Sequence, residues 1–400
     1  MADSMFTSFD HRTPPIGPDG TPFQYYEALR DVAVAGNPIG WSEHHNGFWV
    51  VAGYPECHEI MQNHDTFSSA AVTFPAYQTG EKNTLMLAGM DEPVHKKYRS
   101  LVIQPFSPRQ ATDTEEELAR STNELIDGFI ANGATDIAKS ICYEIPGRIT
   151  ALSLGLPQGD GDRYRQWTDA MAHLFTTDPE GAAAIVGEMH EYFSDAIDEK
   201  RRNPGNDIIS MVIASELDGE RLTHEELMGF CIVLLLGGIE NSVKMLSTAL
   251  WRLAWDVELR RRMIDKPEML NSAVDEFLRY YTPAGVGRVV LEDTEVAGVK
   301  MRKDDIAFLM LPCANRDPRQ FPYPDVLIPD RTPNRHLSLG TGIHRCIGTH
   351  LLRVEGRVVL TEFLRRIPEY ELDRTQQSVW ATGQVTGMVE VPIVFPAGAR

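Results

Sequence analysis

The chain has 400 residues, of which 42% are apolar and 24% are charged, as in an ordinary globular protein. Its formal net charge of −19, with no basic stripe to offset it, argues against non-specific nucleic-acid binding. No Pro/Gly/Ser-rich linker, repeat or low-complexity segment divides the sequence. We therefore expect one large domain over residues 1–400, although the length alone would allow two or three domains.

Cysteine usage and the N-terminus indicate a soluble protein of a reducing compartment. The five cysteines are an odd number with no CxxC pair, which predicts neither a disulfide framework nor a zinc ribbon. The first six residues lack the basic and apolar regions of a signal peptide. The longest apolar run, residues 230–239, is far shorter than the ~20 residues that span a bilayer. We expect a cytoplasmic, bacterial-type protein with no membrane segment.

The first predicted elements in chain order are a strand–turn–strand over residues 38–53 and a long loop over residues 66–90. The hairpin prediction depends on alternating apolar residues around Asn46-Gly47, a dipeptide that favours tight turns. Loops as long as residues 66–90 are uncommon in compact domains, and they are usually functional.

The rest of the chain is predicted to be mainly helical. Residues 92–272 have helical periodicity, and short β-type runs return at 286–311 and 382–396. Breaks in the helical part are expected at Pro108, Pro146, Pro157 and Asn203-Pro204-Gly205. The pattern predicts a mainly α fold with a smaller β portion (α+β) and a sheet near one edge.

A long central helix is predicted from Thr223 to about Trp255. Thr223 and Glu226 have capping-box spacing, and the middle of the segment is apolar on all faces, as in a buried core helix. Gly237 and Gly238 interrupt that stretch at about 1 kcal/mol each relative to alanine. Two explanations are open: close packing against another helix, or a local opening of the helix over the face of a cofactor.

The run Leu339-Gly-Thr-Gly-Ile-His-Arg-Cys-Ile-Gly348 is the most informative segment of the chain. Its three glycines let the backbone approach a flat, rigid group, and an amphipathic stretch over residues 351–364 follows it. A cysteine at a helix N-terminus near cationic side chains is readily deprotonated, which makes Cys346 a candidate nucleophile or metal ligand. A buried cysteine in a glycine-rich turn is the alternative.

This run resembles the haem-ligand loop of the cytochrome P450 family, F-G-x-G-x-H-x-C-x-G, with Leu339 in the place of the usual phenylalanine. The resemblance covers nearly all 400 residues, with the family's motifs in their usual order. It implies the P450 fold, a haem b group beneath the long central helix, Cys346 as its axial thiolate ligand, and Gly348 among the cofactor-binding residues. The runs at 72–75, 237–241 and 332–340 also resemble bacterial P450s that hydroxylate cineole.

The central helix resembles the family's oxygen-activation motif, (A/G)-G-x-(D/E)-T, with Asn241 in the place of the threonine that helps to deliver protons. The resemblance makes Gly238, Glu240, Asn241 and Ser242 the candidate catalytic residues. A carboxamide cannot relay a proton as a hydroxyl does, but its NH₂ group donates a hydrogen bond. We therefore expect Glu240, helped by Ser242, to support protonation, and Asn241 to orient a substrate oxygen or an ordered water.

Two further sets of residues match positions of the family that hold the haem and its loop. Glu276-Phe-Leu-Arg279 has the i, i+3 spacing of a helical ion pair. With Asn315 and Arg331 it resembles the Glu-Arg-Arg network beneath the haem, so Glu276, Arg279 and Arg331 are assigned structural roles. Haem propionates need cations and hydrogen-bond donors. The resemblance assigns that role to His95, Arg99, Arg288 and His344.

The candidate substrate walls are mostly small or aliphatic, and they fit a compact, weakly polar molecule such as 1,8-cineole or a similar bicyclic monoterpenoid. They come from the long loop, the central helix, the segment after Arg279 and the run 383–387. Each of them has plain core packing as its alternative. The set is Phe74, Met86, Leu87, Leu234, Gly238, Asn241, Ala284, Val286 and Val385.

Two electrons must come from a separate protein, because the chain contains no flavin-binding or iron–sulfur segment. A basic patch near the predicted ligand would attract an acidic flavodoxin or ferredoxin, although charge clusters are often simply solvated. The cations of this patch are Lys96, Lys97, Arg109, Arg345, Arg353 and Arg357. The predicted function is that of a haem-thiolate monooxygenase that hydroxylates an unactivated C–H bond with O₂.

Two other functions remain open. The missing threonine weakens the case for ordinary dioxygen protonation and leaves a peroxide-dependent peroxygenase as an alternative, although Glu240 and the whole-chain resemblance keep the monooxygenase ahead. A non-catalytic haem sensor or terpenoid-binding protein would also need the cofactor and a pocket. A zinc hydrolase is disfavoured because HExxH is absent and several histidines lack metal-ligand spacing, namely His44, His45, His58, His64 and His173.

Overall fold

A computed structural model of the chain describes residues 2–74, 85–171 and 178–399. Pro75 of the predicted substrate loop and His173 therefore lie outside the described residues. The α-helices, in chain order, are α1 Ala2–Thr7, α2 Phe23–Val34, α3 Tyr54–Gln62, α4 Val94–Val102, α5 Pro108–Asp113, α6 Glu115–Phe129, α7 Glu144–Leu154, α8 Gly161–Asp169, α9 Pro179–Arg202, α10 Ile208–Ala214, α11 His224–Trp255, α12 Val257–Asp265, α13 Leu270–Tyr280, α14 Leu311–Ala314 and α15 Thr349–Arg366.

The strands are short and the helices account for most of the regular structure, which confirms the predicted mainly α fold with a smaller β portion. They are β1 Ile39–Ser42, β2 Phe48–Val51, β3 Phe67–Ser68, β4 Ala134–Asp136, β5 Glu216–Leu217, β6 Glu220–Arg221, β7 Val286–Val290, β8 Thr294–Val296, β9 Val299–Met301, β10 Ile306–Leu309, β11 Glu371–Leu372, β12 Val379–Ala381, β13 Gly387–Glu390 and β14 Pro392–Val394.

The chain forms two compact units, each built from separate chain segments. Unit 1 comprises Met1–Val94, Ser272–Cys346 and Trp380–Gly387. Unit 2 comprises His95–Asn271, Ile347–Val379 and Met388–Arg400. Since neither unit is continuous in sequence, neither corresponds to a domain that a linker would delimit. The expectation of a single domain over residues 1–400 stays a prediction.

Unit 1 is organised around a five-stranded sheet with the order β1-β2-β10-β7-β3. Strands β1 and β2 are antiparallel, as the alternating sequence predicted, whereas β2 and β10 run parallel. The β1–β2 turn contains three consecutive residues with positive φ, namely His45 (52°), Asn46 (69°) and Gly47 (94°). Asn and Gly are the residues that adopt this left-handed conformation at least cost. The predicted hairpin is therefore confirmed, with a longer turn than the two-residue type.

The predicted long loop begins with regular structure. Strand β3 occupies its first residues and pairs with β7, with Phe67 opposite Val290 and Ser68 opposite Val289. Phe67 and Val290 belong to the buried apolar core of the sheet. The loop prediction was thus wrong for these residues, because pairing with a distant strand is not visible in local sequence. Residues 75–84 of the loop lie outside the described residues.

Unit 2 is dominated by α11, whose 32 residues span about 48 Å. Thr223 Oγ1 accepts a hydrogen bond from the backbone N–H of Glu226, and the Glu226 side chain accepts from the backbone N–H of Thr223, so the predicted capping box is present. By length and composition α11 could cross a membrane, but just over half of its most apolar window is buried in the protein. Such burial is typical of a core helix.

The predicted helix breaks are partly correct. Helix α5 begins at Pro108, and α9 ends at Arg202, directly before Asn203-Pro204-Gly205. Pro146, however, lies inside the first turn of α7, and the chain changes direction upstream, in a π-helical turn over Ala138–Cys142. Proline is tolerated in a first helical turn because its missing N–H has no partner there. The break predicted at Pro146 was therefore misplaced.

Candidate functional site

Cys346 follows a tight turn of unit 1 that its glycines make possible. The backbone N–H of Cys346 donates to the carbonyl of Leu339 at 2.8 Å, which closes the loop on itself. Gly340 and Gly342 have φ of +68° and +66°, where other residues are strained. A Cβ at Gly342 would lie 3.0 Å from the Met61 carbonyl. The loop thus holds Cys346 three residues before α15.

The chain has one cysteine suited to bind a metal as a thiolate. Cys346 is exposed, whereas Cys57, Cys142, Cys231 and Cys313 are buried. Burial raises the pKa of the Cys231 and Cys313 thiols to about 12, so both remain protonated at neutral pH. The thiolate is the form that ligates metals. The alternative of Cys346 as an ordinary buried cysteine is wrong.

Arg288, on β7, is a buried cation of unit 1. Its side chain is 4% exposed, and burial lowers its pKa to about 10 against the opposing effect of Asp91. Its Nη1 donates to the Gly287 carbonyl at 2.8 Å, and no described residue forms a salt bridge with it. A buried guanidinium in that position suits an anionic carboxylate ligand. The thiol of Cys346 and the cation of Arg288 thus both fit a haem group, which brings an iron and propionates.

The remaining candidate haem contacts are divided between the two units. His344 lies half-buried in the Cys346 loop of unit 1. His95 and Arg99 lie one turn apart on α4 of unit 2, with His95 buried and Arg99 half-buried. Gly348 is the residue before the first turn of α15. Their roles toward haem stay predictions.

Glu276 is the centre of a buried charge network in unit 1. It is fully buried and accepts hydrogen bonds from Arg279 Nε and Nη2 at 2.8 and 2.7 Å. Arg331 Nε lies 3.1 Å from the same carboxylate, and the Ile328 N–H and Asn334 Nδ2 also donate to it. The alternative for Glu276 and Arg279, a solvated surface pair, does not hold.

The same network reaches the segment that leads to Cys346. Arg279 Nη1 donates to the carbonyl of Asn315 at 3.0 Å. The Asn315 side chain accepts from the Leu337 N–H at 2.7 Å and donates to Ser338 Oγ at 2.8 Å. Leu339, whose carbonyl closes the cysteine loop, is the next residue. These contacts support the predicted structural role of the Glu276 network.

The two glycines of the central helix differ in their surroundings. Helix α11 is continuous through residues 237–242, so the predicted local opening is wrong. A Cβ at Gly238 would lie 2.5 Å from Thr150 Oγ1 of α7, which shows that Gly238 permits close helix packing. A Cβ at Gly237 would meet no described atom within 4 Å. Close packing therefore explains Gly238 but not Gly237.

Glu240 lies in a buried cluster of charges in unit 2. Its carboxylate is buried and accepts no hydrogen bond from a described residue, but Lys244 Nζ lies 3.6 Å from its Oε2. Lys244, one turn along α11, is also buried, and its Nζ donates to the hydroxyl of Tyr143 at 3.3 Å. Burial and the charge of Glu240 raise the pKa of Asp169 to about 6. Lys244 is thus the cation that compensates Glu240.

Ser242 forms a contact that the sequence did not indicate. Its Oγ donates to Oε2 of Glu355 at 3.0 Å, and both residues are buried. Burial raises the pKa of Glu355 to about 8, although the Ser242 hydrogen bond favours the ionised form. Glu355 is consequently protonated at neutral pH. Its signal in the sequence was an acidic residue on the apolar side of the helix after Cys346.

Several candidate substrate walls of unit 1 are held together by Gln384, which the sequence reasoning missed. Gln384 Oε1 accepts from the backbone N–H of Phe74, and its Nε2 donates to the Gly285 carbonyl, both at 3.3 Å. Ala284 and Val385 form an isolated antiparallel bridge beside it. The segments that carry Phe74, Ala284 and Val385 therefore meet within unit 1, and their role as substrate walls stays a prediction.

The predicted walls are buried or half-buried, and their roles in substrate binding stay predictions. Phe74, Met86 and Leu87 are buried, and Val286 on β7 is half-buried. In unit 2, Leu234 lines a small apolar cavity between helices, and Asn241 is half-buried.

The predicted basic patch is partly neutralised. Lys97 forms an ion pair with Asp218 at 2.5 Å, and Arg357 pairs with Glu115. Lys96 and Arg109 are exposed and form no salt bridge with any residue that the structure describes. Arg345 is exposed and Arg353 is half-buried. Lys96 and Arg109 are therefore the better candidates for contact with an acidic partner.

Comparisons with known proteins agree with this geometry. The sequence profile of the cytochrome P450 family matches residues 256–377. The chain is 33% identical over 316 residues to mycinamicin IV hydroxylase/epoxidase of Micromonospora griseorubida, which covers 77% of this chain and 79% of the relative. It is 28% identical over 388 residues to the biotin biosynthesis cytochrome P450 of Bacillus subtilis, with 94% and 96% covered. The crystal structure of CYP109E1 from Bacillus megaterium in complex with testosterone superposes with a TM-score of 0.86 at 30% identity, covering 94% of this chain and 98% of that one.

Proposed function

Because the chain belongs to the cytochrome P450 family of haem-dependent monooxygenases, we propose that it hydroxylates an unactivated C–H bond of a small monoterpenoid, with 1,8-cineole or a similar bicyclic ether as the substrate. The family gives the enzyme class and the haem b cofactor with cysteine thiolate ligation. The substrate class is our inference, and it depends on the apolar character of the candidate walls.

Haem with a thiolate ligand supplies the oxygen chemistry when it is bound. We assign the ligand to Cys346 and the propionate contacts to Arg288, His344, His95 and Arg99. Arg288 has the best structural support in this set. Its guanidinium is buried, it donates to a backbone carbonyl, and it forms no salt bridge with a described residue, so an anionic propionate would compensate its charge. The Glu276 network keeps the segment before Cys346 in place through Asn315.

The chemistry of the candidate walls carries the substrate proposal. The nine walls include no charged side chain, and Asn241 is the one residue among them with a polar side chain. A set of apolar side chains with a single carboxamide among them suits a compact hydrocarbon skeleton with one ether or hydroxyl oxygen. The names of similar proteins refer to mycinamicin IV, biotin biosynthesis and testosterone, so family membership alone does not select a substrate.

We assign proton handling to two acids of unit 2, in place of the usual threonine. Glu240 offers a buried carboxylate whose charge Lys244 balances from 3.6 Å. Glu355 holds a proton at neutral pH, and because its Oε2 accepts the Ser242 hydrogen bond, the acid proton belongs on Oε1. In this assignment Ser242 orients Glu355, and Asn241 orients the substrate.

A spin-state titration of the haem tests the substrate class. The ferric enzyme is titrated with 1,8-cineole, camphor, a macrolide and testosterone, and the Soret band is followed. We expect the two bicyclic monoterpenoids to give a low-to-high spin shift at micromolar concentrations. A shift with the macrolide or the steroid, and none with the monoterpenoids, would overturn the proposal.

Asn241→Ala tests the orienting role. Loss of the carboxamide should scatter the regiochemistry of the product more than it slows oxygen consumption, because the substrate loses one fixed contact. Asn271→Ala, at an exposed asparagine of α13, is the matched control. Unchanged product ratios in Asn241→Ala would contradict the orienting role while leaving the enzyme class intact.

We propose a flavodoxin or ferredoxin, with its reductase, as the electron donor. The exposed cations Lys96 and Arg109 form no ion pair with described residues and would attract an acidic donor at low salt. Arg109→Glu should raise the apparent Km for the donor several-fold at low salt, and more than Lys97→Glu, since Asp218 already neutralises Lys97. Equal Km values for Arg109→Glu and the unmodified enzyme would remove the docking proposal.

Peroxide-dependent turnover is a second candidate, favoured by Asn241 at the threonine position. Product formation with hydrogen peroxide alone, compared with formation from NADH and a reconstituted donor, separates the two routes. Faster turnover with peroxide would favour the peroxygenase.

We place the enzyme in the bacterial cytoplasm, in agreement with its cysteine usage.

A further inference from the structure

Three side chains of unit 1 that have no role in the haem assignment lie close together. Asp10 and His11 come from the N-terminal segment, and His45 comes from the β1–β2 turn. One ligand atom from each lies within 4.8 Å of the other two. His45 Nε2 is 2.9 Å from Asp10 Oδ1, and His44 Nδ1 is 4.0 Å from Asp10 Oδ2. The cluster thus combines imidazole nitrogens and a carboxylate.

The protonation of His11 can be deduced from its contacts. Its Nε2 lies 2.6 Å from the carbonyl oxygen of Phe74. Since a carbonyl only accepts hydrogen bonds, Nε2 must carry the hydrogen and donate it. The second nitrogen, Nδ1, then carries a lone pair. His11 is 4% exposed, so this lone pair is buried, and it has no hydrogen-bond partner among the described residues.

An unpaired buried acceptor destabilises the folded state, and a bound ligand atom would remove that penalty. The His11 ring cannot easily rotate to expose Nδ1 to solvent, because its centroid lies 4.0 Å from that of the Phe308 ring and it packs edge-on against Phe48. A metal-bound histidine typically donates its other N–H to a carbonyl or carboxylate, which is the contact that His11 makes with Phe74.

We propose that Asp10, His11 and His45 form a binding site for a divalent transition metal ion, with Zn²⁺ as the best match. His11 Nδ1, His45 Nε2 and an Asp10 oxygen are the ligands, and His44 or a water completes a tetrahedron. Nitrogen and oxygen ligands of this kind suit Zn²⁺. Metal binding replaces the hydrogen on His45 Nε2, which moves to Nδ1 or to solvent.

The geometry needs only a modest contraction. Zinc bonds of about 2.0–2.1 Å place tetrahedral ligand atoms roughly 3.3 Å apart. The Asp10–His45 pair, at 2.9 Å, is already slightly closer than that, so His11 has to approach the other two. Bound metal would tie the N-terminal segment to the β1–β2 turn and, through the His11–Phe74 contact, to the start of the substrate loop. The role that this predicts is structural.

Isothermal titration of the haem-loaded enzyme with ZnCl₂ tests the proposal. We expect one saturable site per chain and at least a ten-fold loss of affinity in Asp10→Asn and in His45→Gln. His64→Gln is the matched control, because His64 and Asp65 form a two-residue pair, 3.2 Å apart, with no third ligand among the residues that the structure describes. Zinc-edge X-ray absorption should show about two imidazole ligands, lowered to about one in His45→Gln.

The rise in Tm on addition of zinc is a second readout, and it can be measured on the unmodified enzyme. A ligand that binds only the folded state stabilises that state. Zinc should raise the Tm of the unmodified enzyme and of His64→Gln equally, and that of His45→Gln much less. Haem absorbance and circular dichroism verify that His45→Gln is folded. No saturable zinc binding, or equal binding by Asp10→Asn, His45→Gln and His64→Gln, would overturn the proposal. None of these measurements depends on the substrate.

Discussion

The Glu355 side chain makes the stability of the enzyme depend on pH, and Glu355→Gln isolates this effect. Burial raises the pKa of Glu355 from 4.5 to about 8. Below pH 4.5 both the folded and unfolded states are neutral at this position. As the pH rises above 4.5, the unfolded state ionises first, so the unmodified enzyme loses stability until the folded state ionises near pH 8. Glutamine does not titrate, and its amide oxygen still accepts from Ser242.

The size of the effect follows from the two pKa values, at about 1.4 kcal/mol per unit. Glu355→Gln should be more stable than the unmodified enzyme by about 1 kcal/mol at pH 5 and about 3 kcal/mol at pH 7. For a chain of this length, the difference of about 2 kcal/mol between the two pH values corresponds to about 2–3 °C in Tm. Thermal unfolding of the holoenzyme, followed by circular dichroism at both pH values, measures it.

Glu362, two turns further along α15, is the matched control with the opposite sign. Burial acts to raise its pKa, but hydrogen bonds from Asn123 and Arg365 lower it overall. Glu362→Gln should therefore be less stable than the unmodified enzyme at pH 7, and that deficit should shrink as the pH falls. If Glu355→Gln gains no stability relative to the unmodified enzyme, or gains equally at pH 5 and pH 7, the reasoning about Glu355 is refuted.

Three further predictions concern the buried charges and the ligand. Glu276→Gln leaves Arg279 as an uncompensated buried cation and should lower the free energy of unfolding by about 3–5 kcal/mol. Asp275→Asn, at the neighbouring half-buried carboxylate, is the control and should lower it by about 1 kcal/mol or less. Equal Tm values for the two variants would contradict the structural role of the Glu276 network. Lys244→Met removes the cation beside Glu240 and should increase several-fold the share of NADH electrons lost as hydrogen peroxide, and an unchanged share would show that Lys244 has no part in proton handling. Cys346→Ser should abolish the band near ~450 nm of the reduced carbon-monoxide complex; a retained band would remove the assignment of Cys346 as ligand.

The features that sequence predicted well are those set by residues close together in the chain. Thr223 and Glu226 are three positions apart, so their capping box could be predicted from local sequence, and the structure contains both of its hydrogen bonds. Asn46-Gly47 likewise predicted the β1–β2 turn. The spacing of Glu276 and Arg279 and the position of Cys346 before a helix were also local signals.

The features that sequence missed depend on residues far apart in the chain. Glu355 contacts Ser242 across 113 positions, and His45 meets Asp10 across 35. Gln384 joins Phe74 across 310 positions. The opening predicted in α11 was wrong for a related reason, because the space that Gly238 provides is taken by Thr150 of another helix. Hydrophobic periodicity predicts which face of a helix is buried, but not which polar partner that face will meet.

The eight residues Trp380–Gly387 constrain the order in which the chain folds during synthesis. They belong to unit 1, although the residues on both sides of them belong to unit 2. During translation the first 94 residues leave the ribosome long before Gln384 exists, so the hydrogen bonds of Gln384 with Phe74 and Gly285 must wait for almost the whole chain. Long-range contacts of this kind slow folding and prolong the exposure of incomplete apolar surfaces. Nascent chains stalled before residue 380 should therefore engage chaperones more strongly than chains released at full length.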